Sequence, residues 1–294
     1  MLKSRLCIAF FAFAVGCAPA QKPLTDYVNP MLGTATLWDS VDLGFKPTKR
    51  TWGAEVFPGS SLPNAMVQVS PVTKFHSGAG YQYEDSVIYG FTHTNKGHWN
   101  LCHIPLLPVT GTPTPGDYCS PFSHERESAA PGYYQVFLDR YGVDAQLSST
   151  LRCAFHKYTY PAGAAASLLA DLQRSNEHVR AWDIRKEGDN VFAGWQQTGE
   201  KMYFYAVANR PVTGIEPVVE GDREVRIVRF GEGDGALELR IGFSFVSEKN
   251  ARENLEAEML GKSFAEVRSE ATATWNDLLG RIRVEGGTER EKGL

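Results

Sequence analysis

The chain has 294 residues, a formal net charge of −4, 43% hydrophobic and 22% charged residues. That balance is globular and excludes wholesale disorder. With no basic stripe or block, a nucleic-acid partner is excluded as well, because phosphate binding needs clustered Lys and Arg.

The first twenty residues carry an export pattern. Lys3 and Arg5 form the positive region, and Cys7–Val15 forms an apolar stretch too short for a stable membrane span. Two processing sites compete. Ala18-Pro19-Ala20 fits a small-residue cleavage site, and Ala14-Val15-Gly16-Cys17 resembles a lipoprotein box with Cys17 as the lipidated residue. The expected location is the periplasm or cell surface, with membrane contact only through a lipid on Cys17. Cys102, Cys119 and Cys153 then remain, an odd number that is no disulfide framework. A Cys102–Cys119 bridge and three buried small thiols are both open.

Residues 30–64 have little periodicity and are punctuated by Pro30, Pro58, Gly59 and Pro63. Long ordered loops of this kind are often functional. Residues 90–132 are similarly rich in Pro and Gly.

Strand-like runs occur at 65–69, 133–138, 155–160, 179–184, 191–195, 202–207, 224–230 and 237–246. Several alternate apolar with polar, the period of a half-buried strand. Glu187–Asn190 and Gly231–Gly235 read as hairpin turns. Consecutive strands without intervening helices predict a mainly β fold, a large antiparallel β-sandwich over residues 22–246.

The period changes at Ser247, a predicted N-cap. Ala251, Leu255 and Met259 share a helical face, and Gly261 ends the helix. Ser263 and Glu266 form a capping-box pattern. Phe264, Val267, Ala271, Trp275, Leu278 and Ile282 follow on one stripe that must be buried. These are two linker helices. Residues 247–294 are expected to lead into a further, helical domain, without which the stripe would lie bare.

The densest chemistry lies between Gly90 and His103, with His93, His98, His103, Cys102 and Trp99 in one stretch. Zinc binding, simple packing and a sugar-contacting loop are the three readings. No familiar zinc-ligand spacing is present. Trp and His suit a pyranose, which has an apolar face and hydroxyls that need hydrogen bonds. Glycosidases need two carboxyl groups. Asp39 with Asp42, Glu84 with Asp85, and Glu125 with Glu127 are the candidate pairs, and each is an ordinary loop pair in most proteins. No nucleophile elbow, phosphate loop, dinucleotide fingerprint or His-Glu-x-x-His is present.

Together the motifs resemble the N-terminal part of the glycoside hydrolase family 92 α-mannosidases. They are Asp26-Tyr27-Val28-Asn29-Pro30-Met31-Leu32-Gly33-Thr34, Phe57-Pro58-Gly59, Met66-Val67-Gln68-Val69-Ser70-Pro71, Gly80-Tyr81-Gln82-Tyr83, Ile88-Tyr89-Gly90-Phe91-Thr92-His93-Thr94, Phe122-Ser123-His124-Glu125, Pro131-Gly132-Tyr133-Tyr134, Phe155-His156-Lys157-Tyr158-Thr159-Tyr160-Pro161 and Phe245-Val246-Ser247.

The resemblance implies a β-sandwich, linker helices and an (α/α)6 barrel. It also implies exo-acting, inverting hydrolysis of α-mannoside glycans assisted by Ca2+. It places acid, base and most calcium ligands in the barrel, so no catalytic or metal residue is carried over to this chain. Phe57, Gly59, His93, His98 and Trp99 are the residues expected to wall the substrate pocket. After Thr94 the chain reads Asn95-Lys96-Gly97-His98-Trp99, where many members read roughly His-x-Ser-Gly-x-Gly, so linkage preference does not carry over. The competing class is a non-catalytic carbohydrate-binding or interaction module, which needs no barrel.

Overall fold

The computed structural model describes residues 22–36, 56–96, 99–283 and 285–293. Among them the strands form two large antiparallel sheets. The first has the order Ser60–Ser61, Gln68–Val72, Gly90–Thr92, Leu106–Val109, Ser167–Ala170, Arg223–Phe230, Val212–Glu220. The second has the order Ala181–Gly188, Val191–Gln197, Lys201–Ala208, Leu237–Ser244, Cys153–Thr159, Val143–Ser149, Tyr133–Leu138, Glu127–Ala130. Two short ribbons, Val87–Ile88 with Ser120–Pro121 and Asn95–Lys96 with Trp99–Asn100, sit apart from the sheets.

Alternation explains the packing. In Lys201–Ala208 every second side chain is buried, and Phe204 pairs with Phe243 while Ala206 pairs with Ile241 on the neighbouring strand. Phe91, Tyr134, Tyr158, Phe192, Phe204 and Phe243 are fully buried in one core cluster. Each such side chain contributes about 1.5–3 kcal/mol relative to exposure.

Helix α1, Glu248–Glu258, starts where Ser247 Oγ accepts the Asn250 amide at 3.1 Å. It lies on the second sheet, with Ala251, Leu255 and Met259 buried. Gly242 makes the approach feasible: a Cβ there would fall 2.1 Å from the Ala251 carbonyl oxygen. Helix α2, Phe264–Leu279, carries the predicted capping box. A short helix α3, Glu289–Lys292, follows.

Four sequence expectations are corrected. Gly231–Gly235 is not a hairpin: it carries the chain from Arg223–Phe230 in one sheet to Leu237–Ser244 in the other. Glycines specify a bend, not the strand that the chain pairs with next. The local hairpin is instead at Gly221, φ +60°, where Glu220 pairs with Arg223.

Secondly, the 90–132 stretch contributes a buried strand, Leu106–Val109. Pro108 is tolerated there because pairing to Gly90–Thr92 is confined to Phe91 opposite Leu106.

Thirdly, the α2 stripe is not bare. Phe264, Val267 and Ala271 are buried, and Phe264 meets Phe155 edge-on at 5.2 Å. Trp275 Nε1 donates to the Ser61 carbonyl at 2.7 Å. Ile282, 80% exposed, lies beyond the helix end.

Lastly, the three described cysteines are free, so Cys102 and Cys119 form no bridge, and Cys119 is only half-buried. Cys7 and Cys17 lie outside the described residues.

Candidate functional site

Where the chain crosses from Ser167–Ala170 in one sheet to Ala181–Gly188 in the other, it leaves a polar groove of about 780 Å³. Residues 173–182 line it together with His76. Buried Gln196 holds the loop from beneath. Its Nε2 donates to the carbonyls of Leu172 and Arg174 at 2.9 and 3.0 Å, and its Oε1 accepts the Ile104 amide at 2.8 Å. Asn176 ties three segments together. Its Nδ2 donates to the Asn100 and Ser77 carbonyls at 2.6 and 3.2 Å, and its Oδ1 accepts the His76 amide at 2.6 Å. Ser175 Oγ donates to the Leu101 carbonyl at 2.7 Å.

The backbone around the groove is strained. His76, Cys102 and Ile104 have φ of +63°, +53° and +53°. A β-branched residue there is a genuine outlier, and such positions cost about 1–3 kcal/mol each. They persist where surrounding contacts over-determine them, often at functional sites.

A buried hydrogen-bond relay reaches the groove. Thr94 Oγ1 lies 2.8 Å from His103 Nδ1, His103 Nε2 lies 3.0 Å from Thr198 Oγ1, and Thr198 Oγ1 donates to Glu177 at 2.6 Å. A neutral His103 with the proton on Nε2 satisfies every link. Burial holds the His103 pKa below its ordinary value, against the opposing pull of Glu177. Glu177 is the one carboxylate in the described lining, and a glycosidase needs two. The candidate pairs do not supply the second. Glu84 accepts the Thr36 amide, Asp85 accepts the Thr73 hydroxyl, and Glu127 is buried among Tyr81, Tyr134 and His124. Glu125 lies in a short turn capped by Ser123, and Asp39 and Asp42 lie outside the described residues.

The expected wall residues fall in different places. Phe57 and Gly59 line a separate cleft of about 250 Å³, with Val28, Pro30, Pro131, Trp275 and Leu279 around it. Trp99 is 41% exposed on its ribbon, where it pairs with Lys96, and the next residue, Asn100, is tied to the groove loop through Asn176. His93 is fully buried, tilted against Phe243 with ring centres 4.6 Å apart and bonded to His156, so it presents no surface. His98 lies outside the described residues. Among the described residues the zinc ligands do not converge: Cys102 packs on Val72 and Phe75, while His93 and His103 face different partners.

Sequence reasoning missed the groove loop itself. The signal available was the polar run Arg174-Ser175-Asn176-Glu177-His178 between two strand patterns.

Comparison with known proteins places this architecture. The family model described as "Glycosyl hydrolase family 92 N-terminal domain" matches residues 27–254, and that of the family 92 catalytic domain matches residues 250–294. A family GH92 alpha-mannosidase from Bacteroides thetaiotaomicron is 25% identical, with a TM-score of 0.80, covering 92% of this chain and 40% of its own. A GH92 inverting mannosidase from Bacteroides thetaiotaomicron VPI-5482 is 23% identical and shares the fold, with a TM-score of 0.78, covering 94% and 39%. An uncharacterized secreted glycosidase of Arthroderma benhamiae is 24% identical over 89% of this chain and 38% of its own length. The chain thus spans about 40% of the length of the relatives it matches. The chain belongs to glycosyl hydrolase family 92, with the family's N-terminal domain making up most of its length.

Proposed function

We propose that this chain is the N-terminal β-sandwich portion of a secreted, calcium-dependent, inverting exo-α-mannosidase acting on α-mannoside glycans. The observation that carries the reading is the family match over residues 27–254, together with a groove that offers a single carboxylate among the described residues. A related alpha-mannosidase has been seen in complex with mannoimidazole. The sandwich supplies wall and shape, and the acid and base come from elsewhere in the assembled enzyme. Trp99 is the proposed stacking surface, Phe57 and Gly59 shape the neighbouring cleft, His98 belongs to the same loop as Trp99, and His93 holds that loop from the core. Residues 247–294 form the passage into the helical domain. Export is directed by residues 1–20, with Cys17 lipidated or the chain cleaved after Ala20.

Calcium needs six to eight oxygen ligands. Among the described residues no group of three His, Cys, Asp or Glu could hold a metal. Of the buried oxygens without a hydrogen-bond partner among the described residues, the carboxylate one, Asp171 Oδ1, sits on a group already paired with Arg223, the wrong neighbour for a cation, and the others belong to the amides of Gln68 and Asn95. The family resemblance, which puts most calcium ligands in the helical barrel, is the ground on which we assign them outside these residues.

The test is release of mannose from mannobiose, with calcium present, by the purified chain and by a full-length family 92 enzyme carrying it. The chain by itself is expected to be silent and the full-length enzyme active. Turnover by the chain that survives a purity control would sink the assignment of roles. A second reading, a self-sufficient carbohydrate-binding module, is favoured by the burial of Phe264, Val267 and Ala271 within this chain. It requires a soluble chain that binds mannose-rich glycan without hydrolysing it.

A further inference from the structure

The groove is cationic on a chain that is acidic as a whole. The Arg174 guanidinium carbon lies 4.1 Å from the Phe75 ring centre and 4.7 Å from that of Tyr89, and its Nη1 donates to the Tyr118 hydroxyl at 3.3 Å. The buried carboxylate that feels its charge, Asp171, is already taken by Tyr118 and Arg223, each at 2.7 Å. Arg180 is exposed, fixed through its amide to the Gln197 carbonyl at 2.8 Å, and its side chain makes no ion pair among the described residues. His76 and His178 add two imidazoles to the lining, and Trp182 a half-buried ring. Against them stands Glu177, turned to Thr198 and His103. The formal charge of the whole chain is −4, so a positive groove runs against the global field and is local in origin. Guanidinium groups recognise carboxylate, sulfate and phosphate through paired N–H donors, and an aromatic ring beside them suits a sugar face.

We propose that the 173–182 groove binds a saccharide carrying an anionic substituent, with Arg180 reading the anion, Arg174 adding its fixed charge from the groove wall and Trp182 lying along the sugar. This rests on the glycan reading above. It adds that part of the ligand is charged.

The test is titration calorimetry of the chain with mannose, mannose 6-phosphate, mannose 6-sulfate, glucuronic acid and inorganic phosphate, at low and at high salt. The anionic sugars are expected to bind at least about tenfold tighter than mannose, an advantage that shrinks in high salt. Arg180→Ala should remove that advantage with the melting temperature unchanged, and Arg180→Lys should keep part of it. The arms with phosphate, sulfate and carboxylate identify which group is preferred. Equal binding of mannose and the anionic sugars overturns the anion assignment and leaves the glycan reading standing. Binding of inorganic phosphate without any sugar overturns the glycan assignment of this groove. Binding of no probe overturns the proposal, while the mannobiose assay on the full-length enzyme still decides the family activity independently.

Discussion

His93 and His156 meet Nε2 to Nε2 at 3.0 Å, fully buried between the two sheets. The Tyr158 hydroxyl lies 2.5 Å from His156 Nδ1, and His93 Nδ1 faces the His103 carbonyl at 3.4 Å. One arrangement satisfies all of them: Tyr158 donates to His156, His156 donates to His93, and His93 donates to the backbone. Both rings are then neutral. Burial pushes the His93 pKa down to about 3 and that of His156 well below its ordinary value.

The sign of the pH dependence follows. Below about pH 6.5 the unfolded chain protonates both imidazoles and the folded chain does not. Stability is therefore fully present above that value and is lost as pH falls towards about 3, the folded value of His93. Each such proton costs about 1.4 kcal/mol per pH unit. Urea unfolding at stepped pH should show this slope, and His156→Gln should remove about one proton of it. A flat profile between pH 6.5 and 4 would show that the rings are charged in the fold.

Glu127 is a buried carboxylate that accepts from Tyr134 at 2.5 Å and Tyr81 at 2.9 Å, with His124 Nδ1 at 2.6 Å. Burial, with the Glu127 charge added, raises both tyrosine pKa values. Glu127→Ala leaves these groups without an acceptor and should cost about 3–5 kcal/mol. Tyr81→Phe should cost less, about 1–2 kcal/mol, because the carboxylate keeps other donors. The measurement is chemical denaturation of both variants, and equal losses would contradict the hub role of Glu127.

Gly242→Ala pushes a methyl into the Ala251 carbonyl and the Leu255 side chain, lifting α1 from the sheet. The expected loss is about 1–3 kcal/mol. Ser247→Ala, which removes the N-cap of the same helix, should cost about 1 kcal/mol. Thermal melts of the two single variants separate packing from capping. A Gly242→Ala variant as stable as the parent would mean that the helix seats elsewhere.

Trp99→Ala in the full-length enzyme should lower kcat/KM about ten- to a hundredfold, a loss of about 1–3 kcal/mol of binding. The ring is 41% exposed, so the melting temperature should hardly move. Unfolding with unchanged kinetics per folded molecule would make Trp99 a packing residue instead.

Local order was legible where one period dominated. The strands at 133–138 and 201–208 alternate closely enough to be read, and Ser247, Ser263 and Glu266 announce their helix ends through local hydrogen bonds. Val212–Glu220 was not legible, because an edge strand exposed along most of its length carries no clean alternation. His93 reads as a loop histidine beside Trp99, and nothing within reach in the sequence announces His156, sixty-three positions away, as its partner.

The sequence by itself determined the strand-then-helix order, the caps and the family-like motifs, since these depend on neighbours a few residues apart. Only the tertiary structure decided which sheet Leu237–Ser244 joins, that α2 is covered by Phe155 and its neighbours, and that residues 173–182 close a groove with His76. Those outcomes depend on contacts between segments as much as two hundred residues apart and more, such as Trp275 with Ser61, 214 positions away. Periodicity is blind to such contacts, because it reports which face of an element is buried and not what buries it.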